Sequence, residues 1–351
     1  MERGKVIVTG GAGFIGSHTV VALAAAGFEP VIVDDLRNSE ERVLKGMERI
    51  TGRPITWHAI DCNDEQALGE VFEKEGTVQG VIHFAAYKAV GESVQEPLKY
   101  YANNIGSLIV VLRLMQHYRV KNIVFSSSCT VYGQPEHLPV NEEAPDRMAS
   151  SPYGFTKVAC EQLLRDQVVA DRELKAVLLR YFNPIGAHPS GLIGELPLGV
   201  PNNLVPFVMQ TAAGIREKLT VHGGDHDTAD GTCIRDYIHV MDLARAHVRA
   251  LEWMAENEIR SEIFNVGTGK GRSVLEVVHT FMEANKVKVP YAIGPRRPGD
   301  VESVFADTSK SNAILGWKAE HDLADALRDA WRWQCKLMSE AQGTTSSTTQ
   351  E

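Results

Sequence analysis

A chain of 351 residues can bury a large core and has room for one large or two closely joined domains. Its net charge of −9 argues against nucleic acid or an anionic membrane as partner, so any phosphate it binds must be held locally, by glycine turns and individual arginines. The five cysteines, Cys62, Cys129, Cys160, Cys233 and Cys335, are dispersed, with neither metal-ligand spacing nor a disulfide framework, which points to a reducing compartment and no metal.

The first predicted element is a buried strand, Lys5-Val6-Ile7-Val8-Thr9, apolar and β-branched. It breaks on Gly10 and Gly11 and runs into a helical pattern from Ser17 to Leu23, with Gly10, Gly13 and Gly16 spaced G-x-x-G-x-x-G. Such a turn serves three needs: φ > 0, close approach of backbone to a phosphate, and tight packing of helix on strand. The new helix adds unpaired N–H groups and its positive dipole end, which together make an anion site. A second strand, Pro30–Val33, ends on Asp34, about where a dinucleotide site puts a carboxylate on the adenosine ribose. The plainer reading, a glycine turn in some other α/β protein, does not account for Asp34.

Arg37-Asn38-Ser39-Glu40-Glu41 is a polar cap that opens an amphipathic helix stopping near Gly52. The strand Ile55–Ile60 ends at Asp61, an acid that either faces an adenine or closes a turn. The strand Gly80–Ala86 finishes in small residues that let a ring lie against backbone, and Lys88 follows it, either as solvated surface or as a ligand contact at a strand's carboxyl end. Tyr101–Ile105 opens a helix running to about Tyr118. The strand Lys121–Phe125 empties into Ser126, Ser127 and Ser128, which can bind a polar ligand or form a satisfied turn. Ser151-Pro152 begins a further helix, on which Tyr153 and Lys157 lie four apart and share a face. Through Phe182 strands and helices alternate, the signature of an α/β doubly wound parallel sheet.

Tyr153 and Lys157 placed after Ser128, with the glycine turn in front, give the chain its resemblance to the extended short-chain dehydrogenase/reductase superfamily. Within it the chain resembles the UDP-glucose 4-epimerase family over residues 4 to about 336. The narrower matches are Arg180–Gly191, Pro201–Leu204, Arg235–Val240, Arg296–Asp300 and Leu315–Trp317. The resemblance implies a Rossmann-type NAD domain over 1–182, with 235–267 returning to it, and a smaller UDP-sugar domain from 183–234 and 268–340. The tail, 341–351, lacks apolar side chains from Gly343 onward and is expected to be disordered.

The same resemblance implies that Gly10, Gly13, Phe14, Ile15, Gly16, Asp34, Asn38, Ser39, Asp61, Cys62, Phe84, Ala85, Lys88, Asn103 and Tyr181 form the NAD site. Asn183, Asn203, Leu204, Thr220, His222, Arg235, Tyr237, Arg297, Asp300 and Val304 would hold the UDP-sugar, with His222 where a uridine-stacking aromatic often stands. Tyr153 would be the base going out and the acid coming back, and Ser128 would hydrogen-bond the reacting oxygen. Lys157 would lower a phenol pKa whose ordinary value is near ~10. Asp34 would select NAD over NADP, and Arg235 and Arg297 would neutralise the diphosphate.

Val304, four residues after Asp300, falls at a gate position where a small side chain leaves room for N-acetylated sugars. A homodimer through the helices near Asn103 and Tyr153 is a family expectation. The absence of a bilayer-length apolar run, and a first strand that starts at once, lead us to expect a soluble cytoplasmic protein. A 4,6-dehydratase would need an Asp–Glu pair after Ser128, where this chain has Cys129 and Thr130. A non-catalytic regulator would typically lose Tyr153 or Lys157, and a simple reductase would consume external NADH.

Overall fold

The computed structural model describes residues 3–145, 149–297 and 300–347. The first half alternates strand and helix: β1 (Lys5–Thr9), α1 (Phe14–Ala25), β2 (Glu29–Val33), α2 (Glu41–Thr51), β3 (Thr56–His58), α3 (Glu65–Glu75) and β4 (Val78–His83). There follow α4 (Val90–Gln95), α5 (Pro97–His117), β5 (Asn122–Ser128), α6 (Pro152–Ala170) and β6 (Lys175–Tyr181). The rest is β7 (Asn183–Ile185), α7 (Leu204–Ala212), β8 (Leu219–His222), β9 (Ile234–His239), α8 (Val240–Glu256), β10 (Ser261–Val266), β11 (Gly271–Ser273), α9 (Val274–Asn285), β12 (Tyr291–Gly294), β13 (Ser303–Val304) and α10 (Leu323–Ser347).

Seven parallel strands form the main sheet in the order β10-β6-β5-β4-β1-β2-β3. Strand order reverses between β1 and β4, and at such a point the carboxyl ends open a ligand crevice. Both faces of this sheet are covered, as the unbroken apolar strands require. Val6, Val8, Ile32, Val124 and Leu179 pack on one face with α1 and α8; Ile7, Val31, Val33, Phe125 and Leu178 pack on the other with α3, α5 and α6. Each such fully buried side chain contributes roughly 1.5–3 kcal/mol.

The expected doubly wound sheet is present, and the later segment divides at one residue step. Val240–Val266 supplies α8 and β10 to the main sheet, whereas β9 pairs with β7, β11 and β13 in a second sheet. That second sheet and the β8–β12 pair are packed by α7, α9 and α10 around Val208, Val277, Phe281 and Leu327. Asp236 knits this region together: its buried carboxylate accepts from the backbone N–H of Thr268, Gly269 and Ala306.

Three details differ from the sequence reading. The helix α4 was not anticipated, and α5 starts four residues before Tyr101, because Pro97 is pre-set for a first helical turn. The strand β3 is only three residues long. Finally, α10 continues to Ser347, into the stretch expected to be disordered, because extending an established helix needs far less than nucleating one. Residues 348–351 of that tail lie outside the described residues. No described helix is long and apolar enough to cross a membrane.

Candidate active site

The front of the site is the β1–α1 turn. Gly10 has φ +68, and a side chain there would stand 2.8 Å from the Ala85 backbone nitrogen. A Cβ on Gly16 would lie 2.2 Å from the Gly10 carbonyl oxygen, so helix and turn meet at a distance only glycine allows. Gly13 is the N-cap of α1 and makes no side-chain cap, which leaves the Phe14, Ile15 and Gly16 N–H groups for an outside acceptor. Asp34 is fixed rather than free: its carboxylate accepts from Ala12 N at 3.0 Å and Leu36 N at 2.9 Å. Burial raises its pKa, and those two N–H groups pull the other way.

Behind the turn opens a cleft of about 600 Å³. Every residue that the resemblance assigns to NAD borders it: Gly10, Gly13, Phe14, Ile15, Gly16, Asp34, Asn38, Ser39, Asp61, Cys62, Phe84, Ala85, Lys88, Asn103 and Tyr181. The glycine cradle, the open helix N-terminus and the buried carboxylate fit a dinucleotide whose pyrophosphate meets the N–H groups and whose ribose meets Asp34. Asp61 sits at the rim, held by Arg37 and by Asn63. Two residues that sequence reasoning missed also border this space. Arg37 gathers Asp35, Asp61 and the Tyr87 hydroxyl. Glu195 reaches Lys88 Nζ at 3.5 Å and accepts from Asn203 Nδ2 at 2.8 Å, joining the cofactor side of the cleft to the sugar side. No local motif marks Glu195; only the folded proximity of β4 and α7 reveals it.

Tyr153 and Lys157 border the same cleft, on the first turns of α6. Ser151 caps that helix through the Gly154 N–H at 3.1 Å, and Pro152 opens it, as the sequence pattern requires. The three serines have separate fates. Ser126 bonds His247 Nε2 at 2.8 Å, and its carbonyl accepts from Lys157 Nζ at 2.8 Å. Ser127 donates to Glu161. Ser128, at the strand's end, accepts from Thr130 Oγ1 at 3.0 Å and lies beside the Tyr153 phenol, whose burial-raised pKa it pulls down. The first two are therefore satisfied strand residues, and Ser128 ends the strand beside Tyr153.

A buried ion pair fixes the base of α6. Arg180 and Glu161, with side chains 1% and 0% exposed, form a two-pronged contact at 2.6 and 2.9 Å. One turn before Glu161 stands Lys157, and one turn before that, Tyr153.

The electrostatics depart from expectation. Burial pushes the Tyr153 phenol up to about 12, and the nearby Ser128 hydroxyl only partly offsets this. Lys157 does not depress it: the ammonium is turned to the Ser126 carbonyl, 6.0 Å from the Tyr153 ring centre. Desolvation instead pushes Lys157 down to about 8, which still leaves it mostly charged at neutral pH.

The residues assigned to the UDP-sugar lie mainly around the second sheet. Asn203 alone among them borders the cleft, where it precedes α7 and Leu204 begins it. Asn183 pairs with Tyr237, and Val304 pairs with Arg235. Burial raises the Tyr237 pKa to about 12, with the charges of Arg235 and Arg297 pulling it down and that of Asp300 pushing it up. Burial also raises the pKa of Cys129, the neighbour of Ser128, and the Arg235 charge pulls it the other way. Arg297 and Asp300 are ion-paired at 3.3 Å; Pro298 and Gly299 between them lie outside the described residues. Thr220 and His222 sit on β8, and His222 Nδ1 is 3.2 Å from the Pro295 carbonyl. Val304 does not border the cleft. It is 6% exposed and packed with Val131, Tyr132, Val140, Phe182 and Ala306. Among the described residues no group of three or more His, Cys, Asp or Glu could hold a metal ion.

Comparison with known proteins agrees with this geometry. A family model described as GDP-mannose 4,6 dehydratase matches residues 7–330. A UDP-glucose 4-epimerase of Dictyostelium discoideum is 52% identical over 330 residues, covering 94% of this chain and 95% of the relative. One from Bacillus subtilis is 51% identical over 329 residues, covering 94% and 96%. The chain belongs to the UDP-glucose 4-epimerase family. Two crystal structures share the epimerase fold closely. That from Stenotrophomonas maltophila, with bound NAD and formylated UDP-arabinopyranose, has a TM-score of 0.93 at 48% identity, covering 96% of this chain and 99% of that one. That from Bifidobacterium longum, with NAD+ and UDP, has a TM-score of 0.91 at 47% identity, covering 95% and 98%.

Proposed function

We propose that this chain interconverts UDP-galactose and UDP-glucose by transient oxidation at C4, as an NAD-dependent isomerase of galactose metabolism. The observation that carries this reading is Tyr153, beside Ser128 and one turn from Lys157, at the wall of a cleft built for a dinucleotide. Bound NAD supplies a hydride acceptor and donor and a positive ring charge in its oxidised form.

The chain's own side chains handle the proton. Tyr153 takes it from the C4 hydroxyl on the outward step and returns it to the keto oxygen on the way back. Ser128 holds that oxygen at hydrogen-bond distance from the phenol. Lys157 keeps a buried positive charge one turn further along α6, anchored on the Ser126 carbonyl. Asp34, already held by two N–H groups, accepts from the ribose hydroxyls and repels a 2′-phosphate. Arg235 and Arg297 meet the diphosphate, with Asn183, Asn203, Leu204, Thr220, His222, Tyr237 and Asp300 shaping the rest of that half. We take residues 1–182 with 240–267 as the NAD domain and the remainder to 340 as the UDP-sugar domain. Elimination of water is not supported, since Cys129 and Thr130 follow Ser128 and Thr130 is spent on the Ser128 hydroxyl.

We further infer a homodimer built on α4, α5 and α6, where Val94, Leu98 and Phe155 are exposed at 62%, 79% and 49%. The five cysteines are all free thiols, in keeping with a cytoplasmic location. Incubating purified protein with UDP-galactose and no reductant, followed by proton NMR, should give both sugars; stoichiometric NADH or a 4-keto-6-deoxy product would refute the reading.

A further inference from the structure

We infer that His226 is a positioning residue for the nucleotide half of the site. Three segments that carry candidate UDP contacts converge on its ring. The first is the turn after β8: Gly223 has φ +78, and a Cβ there would stand 2.6 Å from His226 Nε2, so the ring lies directly under this backbone beside His222. The second is the start of β9, where Cys233 Sγ, two residues before Arg235, is 3.3 Å from the same Nε2. The third is the stretch after Asp300, where Glu302 Oε2 lies 3.5 Å from Nδ1.

The tautomer follows from the donors present. A thiol donates weakly and a neutral imidazole nitrogen accepts, so the Cys233 contact leaves the ring proton on Nδ1, facing Glu302. There it is short of a bond. His226 is 7% exposed, and its Nδ1 has no hydrogen-bond partner. Proteins rarely bury such a donor without a use.

Glu302 is the part that makes the spacing matter. Its carboxylate also accepts from Asp227 N at 3.1 Å, and its carbonyl oxygen accepts from Ile234 N at 2.9 Å. The same carbonyl is 3.5 Å from Arg235 Nη1, so the position of Glu302 sets where that guanidinium starts from. Arg235 and Arg297 both act electrostatically on Cys233. Glu302 therefore ties the His226 ring to the residue that seats the Arg235 guanidinium. His226 touches no reacting atom; it spaces the turn after β8, the start of β9 and Glu302.

The inference rests on the reading that Arg235 and Arg297 hold the diphosphate. The test uses the NAD-loaded protein and compares wild type, His226→Ala, His226→Gln, Glu302→Gln and Arg235→Ala in UDP-galactose kinetics and UDP calorimetry. His226→Ala should raise KM and the UDP Kd about tenfold, with kcat within about twofold and bound NAD unchanged, because it removes binding common to ground and transition states. His226→Gln, which restores a polar end, should recover most of the loss. Glu302→Gln should weaken UDP as well and combine with His226→Ala less than additively. The inference is overturned if His226→Ala leaves KM and Kd within about twofold of wild type, or lowers kcat or NAD content instead. If His226→Ala does not fold, an unchanged Kd in Glu302→Gln overturns it equally. Failure of the underlying reading looks different: Arg235→Ala would then bind UDP as wild type does.

Discussion

Replacing Glu161 with Gln removes one charge from a pair that lies wholly out of water. Arg180 and Glu161 are 1% and 0% exposed, and two N–H groups of the guanidinium meet two carboxylate oxygens at 2.6 and 2.9 Å. Breaking a buried pair from one side typically costs about 3–5 kcal/mol, because the remaining charge stays desolvated. The amide keeps one acceptor oxygen, which places the expected loss at the lower end, about 3 kcal/mol. With about 2.1 cal/mol/K of unfolding entropy per residue, the 351-residue chain has roughly 0.7 kcal/mol/K, so the midpoint should fall by about 4 °C. The assay is calorimetry of the NAD-loaded protein at low and high salt, and the fall should be nearly independent of salt because the pair is buried. The double variant Glu161→Met with Arg180→Leu should recover much of the loss. It should not recover turnover, because α6 also carries Tyr153 and Lys157. A midpoint within about 1 °C of wild type, or a strongly salt-dependent one, would refute the claim that this pair sets the seat of α6.

Tyr153→Phe should retain NAD and UDP while losing at least ~10²-fold in turnover, the usual size of a proton-transfer contribution, as read by steady-state kinetics. Unchanged turnover would pass the role to Ser128. Lys157, held down to about 8 against 10.5 in the open chain, is bound less tightly to its proton when folded, so stability should rise as pH climbs through that window. Lys157→Met should flatten that rise in pH-dependent unfolding and lower turnover at every pH. Val304→Tyr forces a ring into the cluster of Val131, Tyr132, Val140, Phe182 and Ala306, with a stability loss of about 1–3 kcal/mol. We propose that wild type also turns over UDP-N-acetylglucosamine and that this variant does not. No wild-type turnover of that sugar, or turnover retained in the variant, would remove Val304 as the gate.

The NAD half was legible because its demands are local. A turn that must hold φ +68 at Gly10, a helix packed so close at Gly16 that a Cβ there would meet the Gly10 carbonyl oxygen at 2.2 Å, and a carboxylate at the next strand's end leave marks in nearby residues. The doubly wound parallel sheet followed from the alternation of β-branched runs with helices, whereas the order of its strands came from the structure alone. The serine run was readable only as a choice, since nothing local says that Ser126 meets His247 and Ser127 meets Glu161 while Ser128 remains for the phenol. Glu195, Arg37 and His226 left no signal, because each owes its role to at least one partner far away in sequence: Lys88, Asp61 with Tyr87, and Glu302. The expected lowering of the Tyr153 pKa by Lys157 failed for a related reason. A spacing of four residues puts two side chains on one face but does not say where an ammonium points, and here it points to a carbonyl.

The central claim is that hydride leaves C4 and returns to it within one closed cleft, with Tyr153 moving only the proton. UDP-galactose deuterated at C4, turned over in ordinary water and followed by NMR, tests this directly. Because the hydrogen travels as hydride and never meets solvent, the UDP-glucose formed should carry its deuterium still at C4, with no net NADH. Deuterium washed out into water during conversion would mean a proton-exchange route, and the account given for Tyr153, Ser128 and Lys157 would be contradicted.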